Sequence, residues 1–158
     1  MKLFIKRNIS ADDTVFNIYD ELANEKFNVK LVKTKASSSL VICDVNDIVI
    51  SKIRKITMGG TNTFVLRVPK KNVTLVTFLS QNNMRCRYYG KNWHIQGDVL
   101  TKKFSVLDVD NTLICSQKKI ANAIELNVND ALNELYCIST SVCIEMINTI
   151  DKFEAQTV

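Results

Sequence analysis

The chain has 158 residues, of which 46% are apolar, and it carries a net charge of +5 with one Pro and four Gly. This length is typical of one domain with a sizeable core, and the apolar content excludes an intrinsically disordered chain. The low Pro and Gly content leaves no candidate linker, so we expect a single domain over residues 1–158.

The N-terminus and the cysteines are typical of a cytoplasmic protein. Charge at Lys2, Lys6 and Arg7 excludes a signal peptide, and no uncharged apolar run reaches the length of about 18 residues that a membrane-spanning helix needs. The five cysteines, at positions 43, 86, 115, 137 and 143, are odd in number and form no CxxC pair. Scattered cysteines of this kind are typical of free thiols in a reducing environment. We therefore expect a cytoplasmic protein without a transmembrane segment.

Most of the chain alternates apolar and polar residues with the period of a β-strand. Runs rich in Val, Ile, Thr, Phe and Tyr are separated by Asn, Asp and Gly, which are typical of turns. Short strands at such regular spacing indicate a meander barrel or a sandwich. Twelve strands are predicted, at Lys2–Arg7, Thr14–Asp20, Lys26–Lys33, Leu40–Val45, Ile48–Ile56, Thr63–Val68, Val73–Leu79, Met84–Tyr89, Trp93–Leu100, Phe104–Val109, Thr112–Lys119 and Ala123–Val128.

An internal repeat supports a duplicated sheet. Residues 40–56 align with residues 104–120 at a constant offset of 64, with identical residues at 44/108, 45/109, 50/114, 55/119 and 56/120. Asn46-Asp47 and Asp110-Asn111 occupy matching positions between apolar runs, and both residue types tolerate the left-handed conformation that tight hairpins require. The sequence therefore predicts two related, hairpin-rich halves.

The end of the chain changes to a helical pattern. Asn129 or Asp130 is a good N-cap, and Glu134 suits the first turn of a helix. Residues 135–144 carry no charge anywhere around the circumference of that helix. We therefore expect this helix to be enclosed on all sides by a closed sheet wrapped around it, and a membrane-inserting tail is the alternative. Charge returns at Glu145, Asp151 and Lys152, where we expect the helix to emerge.

The order of these segments resembles the LURP-one-related family. Tyr88-Tyr-Gly-Lys-Asn-Trp93-His-Ile-Gln-Gly-Asp98 is similar to its central signature, and residues 104–108, 114–119 and 124–126 resemble the strands that follow it. The resemblance is to the bacterial, YxjI-like members. It implies the tubby C-terminal-like fold that is shared with phospholipid scramblases, namely a roughly 12-stranded closed antiparallel barrel around a hydrophobic C-terminal helix. It also implies phosphoinositide head groups as ligands to test.

The sequence contains no pattern that points to catalysis, a cofactor or a metal. His94 is the only histidine, and alternation places it on the face opposite Trp93 and Ile95, towards solvent. Asp44 and Asp108 recur in the two halves and could form a pair of catalytic carboxylates, but each precedes a turn whose N–H groups it would cap. No glycine-rich phosphate loop is present. We therefore predict that the protein is not an enzyme.

The basic residues are the strongest functional lead. Between Lys26 and Lys119 the chain has 17 Lys/Arg against 5 Asp/Glu, which predicts an electropositive surface for phosphate groups. The candidate anionic-ligand surface consists of Lys52, Arg54, Arg85, Arg87, Lys102, Lys103, Lys118 and Lys119. A solubilising role, in which strand lysines oppose aggregation, is the alternative for the same residues.

These observations predict a non-enzymatic module that binds anionic phospholipid head groups or other phosphate-bearing ligands peripherally. A structural scaffold that binds another protein is the alternative. Nucleic acid is a weaker candidate, because Tyr88 and Tyr89 are the only adjacent aromatic pair available for base stacking. A lipid scramblase would need a membrane anchor that the sequence does not show.

Overall fold

The structure is a computed structural model, and it describes residues 1–147 except 11, 36–37, 59–60, 70 and 81–82. Asp151 and Lys152, where charge was expected to return after the helix, lie outside the described residues.

Twelve strands form one closed antiparallel barrel in which every strand pairs with its neighbours in the chain and β1 closes onto β12. All twelve predicted strands are confirmed, with ends shifted by up to two residues. The strands are β1 (Lys2–Arg7), β2 (Thr14–Tyr19), β3 (Glu25–Lys33), β4 (Ser38–Asp44), β5 (Val49–Met58), β6 (Thr61–Arg67), β7 (Val73–Ser80), β8 (Asn83–Tyr89), β9 (His94–Asp98), β10 (Lys103–Leu107), β11 (Leu113–Ile120) and β12 (Ala123–Val128).

The two aligned stretches build the same turn. In each, the amide of the Asp residue donates to the carbonyl oxygen four residues later, and a left-handed residue follows three positions after the Asp: Asp47 with φ 60° after Asp44, and Asn111 with φ 59° after Asp108. The pairing register also shifts at equivalent places, between residues 42 and 43 in the first copy and between residues 106 and 107 in the second. In both copies the unmatched residue lies on the strand that follows the turn, Ile50 on β5 and Ile114 on β11.

The C-terminal helix fills the barrel. A short 3₁₀ turn (Ala131–Asn133), capped by the Asp130 side chain, leads into α1 (Glu134–Met146). Every residue from Tyr136 to Ile144 is buried, and the helix belongs to the same hydrophobic core as the inward side chains of the strands. The expectation of a helix enclosed on all sides is confirmed.

Thr140 and Ser141 on the buried helix form hydrogen bonds with side chains of the barrel wall. The Tyr88 hydroxyl donates to Thr140 Oγ1 at 3.0 Å, and Thr140 in turn donates to the carbonyl oxygen of Tyr136, one turn earlier. Ser141 donates to Gln117 Oε1 at 2.6 Å. These bonds satisfy hydroxyls that would otherwise oppose burial, as expected for Ser and Thr in enclosed helices.

The antiparallel order gives the barrel two distinct ends. The turns β2–β3, β4–β5, β6–β7, β8–β9 and β10–β11 lie at the end where β12 finishes and the helix enters, which we call the entry end. The helix leaves at the opposite end, called the exit end, where Lys102 Nζ lies 2.8 Å from Glu145 Oε1.

Candidate anion-binding surface

The structure distributes the eight sequence-predicted basic residues over three places. Lys52 and Arg54 lie on β5 and Arg85 and Arg87 on β8, all exposed on the outer face of the same side of the barrel. Lys103 and Lys118 lie on β10 and β11, and Lys102 and Lys119 lie near the exit end. The eight residues therefore do not form one continuous site.

The side of the barrel built by β5 to β8 contains no acidic residue. Residues 48–97 hold nine Lys/Arg and no Asp or Glu. Because whole strands come from this stretch, the outer faces of β5, β6, β7 and β8 cannot neutralise their own cations. This run without acidic residues is visible in the sequence. It locates the cationic side of the barrel more closely than the charge count over residues 26–119.

Cross-strand register adds Arg67 to this surface. Lys52 lies directly opposite Arg67, the last residue of β6. Opposed like charges on neighbouring strands destabilise a sheet, and here no described Asp or Glu forms an ion pair with either residue. We call the exposed set Lys52, Arg54, Arg67, Arg85 and Arg87 the basic wall.

Side chains of moderate size separate the charges of the basic wall. Arg54 lies opposite Val65 and Arg87 opposite Val76, both of which are partly exposed. Neighbouring strands are about 4.8 Å apart, so β5 and β8 are separated by roughly 14 Å. The register also places Arg87 level with Ile56 of β5, four residues from Lys52 towards the exit end. The result is a wide, shallow cationic surface with an aliphatic floor, not a closed pocket.

Lys103 and Lys118 flank a separate polar groove of about 550 Å³. Its floor is lined by the small residues Ser105 and Ser116 between the two strands. Lys118 Nζ lies 3.7 Å from the Glu125 carboxylate, so the positive charge here is partly compensated.

The exit-end residues serve the fold. Lys102 adopts φ 64° at the β9–β10 turn and forms its ion pair with the helix residue Glu145. Lys119 lines a smaller cavity of about 270 Å³ that also includes Glu145. Of the three groups, the basic wall thus carries the least compensated charge.

The candidate catalytic residues are placed as turn and surface residues. Asp44 Oδ1 accepts hydrogen bonds from the amides of Asn46 and Ile48, and Asp108 Oδ1 accepts one from Val109. The capping role predicted for both is confirmed. His94 is exposed and Trp93 is buried, as alternation predicted. Among the described residues, no group of three His, Cys, Asp or Glu side chains is placed to hold a metal ion.

All five cysteines are free, and the thiol of Cys86 lies in a buried setting. This burial raises the pKa of Cys86 to about 12. Among the described helices, none is both long enough and apolar enough to cross a bilayer.

The fold is a closed twelve-stranded barrel around an apolar helix, and comparison with known families identifies the family. The LURP-one-related family matches residues 1–145, and the chain belongs to this family. The resemblance drawn from residues 88–126 is therefore confirmed.

Two individual proteins are similar to this chain over almost its whole length. The uncharacterized protein YxjI of Bacillus subtilis (strain 168) is 23% identical over 159 residues, which cover 98% of each chain. The X-ray structure of protein AT5G01750 from Arabidopsis thaliana superimposes with a TM-score of 0.60 at 14% identity, covering 93% of this chain and 91% of the other. At that identity, the likeness to the plant protein establishes the fold alone.

Proposed function

We propose that the protein is a non-enzymatic binding module whose basic wall holds phosphate-bearing ligands, with anionic phospholipid head groups as the first candidate. The observation that carries this proposal is the placement of Lys52 opposite Arg67 on a side of the barrel that has no acidic residue. A fold gains nothing from two such charges facing each other, whereas a bound phosphate would compensate both.

The chemistry of the side chains supports a phosphate ligand. Four of the five residues are Arg, whose planar guanidinium group binds phosphate through two parallel hydrogen bonds. Arg85 and Arg87 are two residues apart on β8 and share its outer face. The aliphatic floor at Val65 and Val76 suits the edge of a head-group layer better than a fully hydrated ion.

Protection of a sheet edge does not explain the charges on β5 and β6. Lysines oppose aggregation mainly on unpaired edge strands. β5 and β6 each form an extended ladder with both neighbours, whereas β8 meets β9 through the single pair Arg87–His94. Positive charge at Lys52, Arg54 and Arg67, on strands paired at both sides, therefore favours a ligand over edge protection.

Vesicle flotation tests the proposal. We expect the protein to float with phosphatidylcholine vesicles only when they contain phosphatidylserine, and to dissociate as salt is raised. Each basic residue near an anionic surface contributes about 1 kcal/mol, so the double variant Lys52→Gln/Arg67→Gln should bind roughly 30-fold more weakly.

The matched control removes the same charge elsewhere on the outer surface. Lys103→Gln/Lys118→Gln changes two cations that flank the polar groove, and it should bind nearly as well as the unmodified protein. Equal losses in both variants would mean that net charge alone drives association, and absence of binding to anionic vesicles would refute the proposal.

A further inference from the structure

Exposed apolar side chains gather at the turns of the entry end. Single exposed apolar residues are common on protein surfaces. The β4–β5 turn differs because it presents three together: Val45, Ile48 and Val49 are 65%, 58% and 55% exposed. Each residue of this cluster, which we call the aliphatic tip, is more than half exposed.

The aliphatic tip lies beside the most cationic part of the basic wall. Val49 begins β5, and Lys52 follows three residues later on the same strand. Arg67, opposite Lys52, ends β6 and so lies at the same end of the barrel. Exposed Lys71 follows in the next turn at that end. Aliphatic and cationic side chains are therefore neighbours along one rim.

The two carboxylates in this turn are held by contacts within the molecule. Asp44 Oδ1 accepts hydrogen bonds from the backbone amides of Asn46 and Ile48, which fix it in the turn. Asp47 Oδ1 accepts a hydrogen bond from Lys30 Nζ at 3.0 Å, so its charge is paired with a cation. Of the two carboxylates, only Asp44 therefore keeps a charge without a cationic partner among the described residues.

The duplicated half supplies an internal comparison. The β10–β11 turn has the same bulge and the same left-handed residue, and it also exposes aliphatic side chains, Val109 at 66% and Leu113 at 37%. The first copy, residues 40–53, holds two Asp and Lys52, whereas the second, residues 104–117, holds two Asp and no Lys or Arg. The same turn therefore occurs once beside the basic wall and once, in what we call the acidic copy, without a cation among these residues.

We propose that the aliphatic tip inserts into the interfacial layer of an anionic bilayer while Lys52 and Arg67 engage its phosphates. Apolar insertion combined with neighbouring basic residues is the arrangement by which peripheral proteins hold anionic membranes. The barrel then stands on the membrane with the β4–β7 part of its entry end downwards. This inference rests on the proposed function and adds to it the orientation and the inserting residues.

Paired substitutions at equivalent positions of the two turns test the insertion. In flotation with phosphatidylserine-containing vesicles, Val45→Ser/Val49→Ser should bind about tenfold more weakly than the unmodified protein, because its buried apolar area is reduced. Val109→Ser/Leu113→Ser removes aliphatic side chains from the acidic copy of the turn and should leave binding unchanged. All four positions are exposed, so equal thermal unfolding temperatures for both variants would establish that the fold is intact.

A depth measurement gives a second, independent readout. Ile48→Trp should be quenched by lipids with brominated acyl chains, whereas Thr112→Trp, its equivalent in the other turn, should not be. Vesicle binding that depends on Lys52 and Arg67 but shows neither quenching at position 48 nor loss in Val45→Ser/Val49→Ser would overturn the insertion and leave the proposed function standing.

Discussion

Lys52 lies directly opposite Arg67 on the neighbouring strand, and no described acidic side chain forms an ion pair with either residue. Cross-strand like charges are destabilising, so this arrangement costs folding free energy in the absence of an anion. Because the proposed site is unfavourable in the free protein, removing one of its charges should raise stability and weaken ligand binding.

Arg67→Gln should therefore raise the free energy of unfolding by about 0.5 kcal/mol while weakening vesicle binding. Urea denaturation at low ionic strength measures the first effect and flotation the second. Lys118→Gln is the control, because Lys118 has Glu125 as an ion-pair partner and should lose stability or stay unchanged. Loss of stability in Arg67→Gln would contradict the view that the opposed cations are uncompensated.

Two adjacent residues of the buried helix should respond in opposite directions. Ser139 Oγ is buried and has no hydrogen-bond partner among the described residues, so Ser139→Ala should stabilise the protein by about 1 kcal/mol. Thr140→Val removes the acceptor of the Tyr88 hydroxyl, and it should destabilise the protein by about 1–3 kcal/mol because that hydroxyl is left buried and unpaired. Chemical denaturation of the two variants measures both effects. Equal effects would contradict the rotation of the helix about its axis that leaves Ser139 without a partner and places Thr140 against Tyr88.

Gly97 on β9 should tolerate no side chain. Its φ is +118°, and an added Cβ would lie 2.8 Å from both the carbonyl oxygen of Lys103 and the Cα of Phe104. We expect Gly97→Ala to lower the free energy of unfolding by at least about 2 kcal/mol, from backbone strain and overpacking together. Gly90→Ala, where the nearest contact is 3.0 Å, should cost less. The reverse order in thermal unfolding would contradict the β9–β10 register.

Stability should fall in alkaline solution. Burial raises the pKa of Cys86 to about 12 and the pKa values of Cys143 and Tyr88 well above their usual ranges. A thiol in the unfolded chain has a pKa of about 8.5. Above that pH the unfolded chain releases protons that the folded chain keeps, so the free energy of unfolding decreases as pH rises. The stabilisation is complete below about pH 8 and is lost as pH rises through the folded pKa values.

Urea denaturation between about pH 8 and pH 10 measures this decline. Cys86→Ala removes one of the three groups, and its stability should depend less steeply on pH than that of the unmodified protein. A free energy of unfolding that stays constant over this range would show that these groups reach solvent in the native state.

Local patterns sufficed to predict the strands and the helix. Alternation placed Trp93 inside and His94 outside, and the lack of charge over residues 135–144 predicted an enclosed helix, because burial leaves its mark on each element separately. The repeated Asp44 and Asp108 turns were likewise visible in the sequence.

The arrangement of the charged surface could not be predicted in the same way. Arg67 and Lys52 are neighbours only through the register of β5 and β6, which bulges and turn lengths set. Lys102 and Lys103 are adjacent in the chain, yet the left-handed conformation of Lys102 at its turn accompanies a contact with the helix, while Lys103 stays on the outer face. Charge clusters in sequence are therefore a poor guide to clusters on a barrel.

The most direct test of the basic wall is a residue-by-residue map of ligand contact. At 17.9 kDa the protein is suited to ¹H–¹⁵N correlation spectra, which can be followed while short-chain phosphatidylserine is added below its micelle concentration. We predict that the amides of Lys52, Arg54 and Arg67 shift together, with one common dissociation constant. Shifts confined to the groove at Lys103 and Lys118, or no saturable shifts, would contradict the assignment of anion binding to this surface.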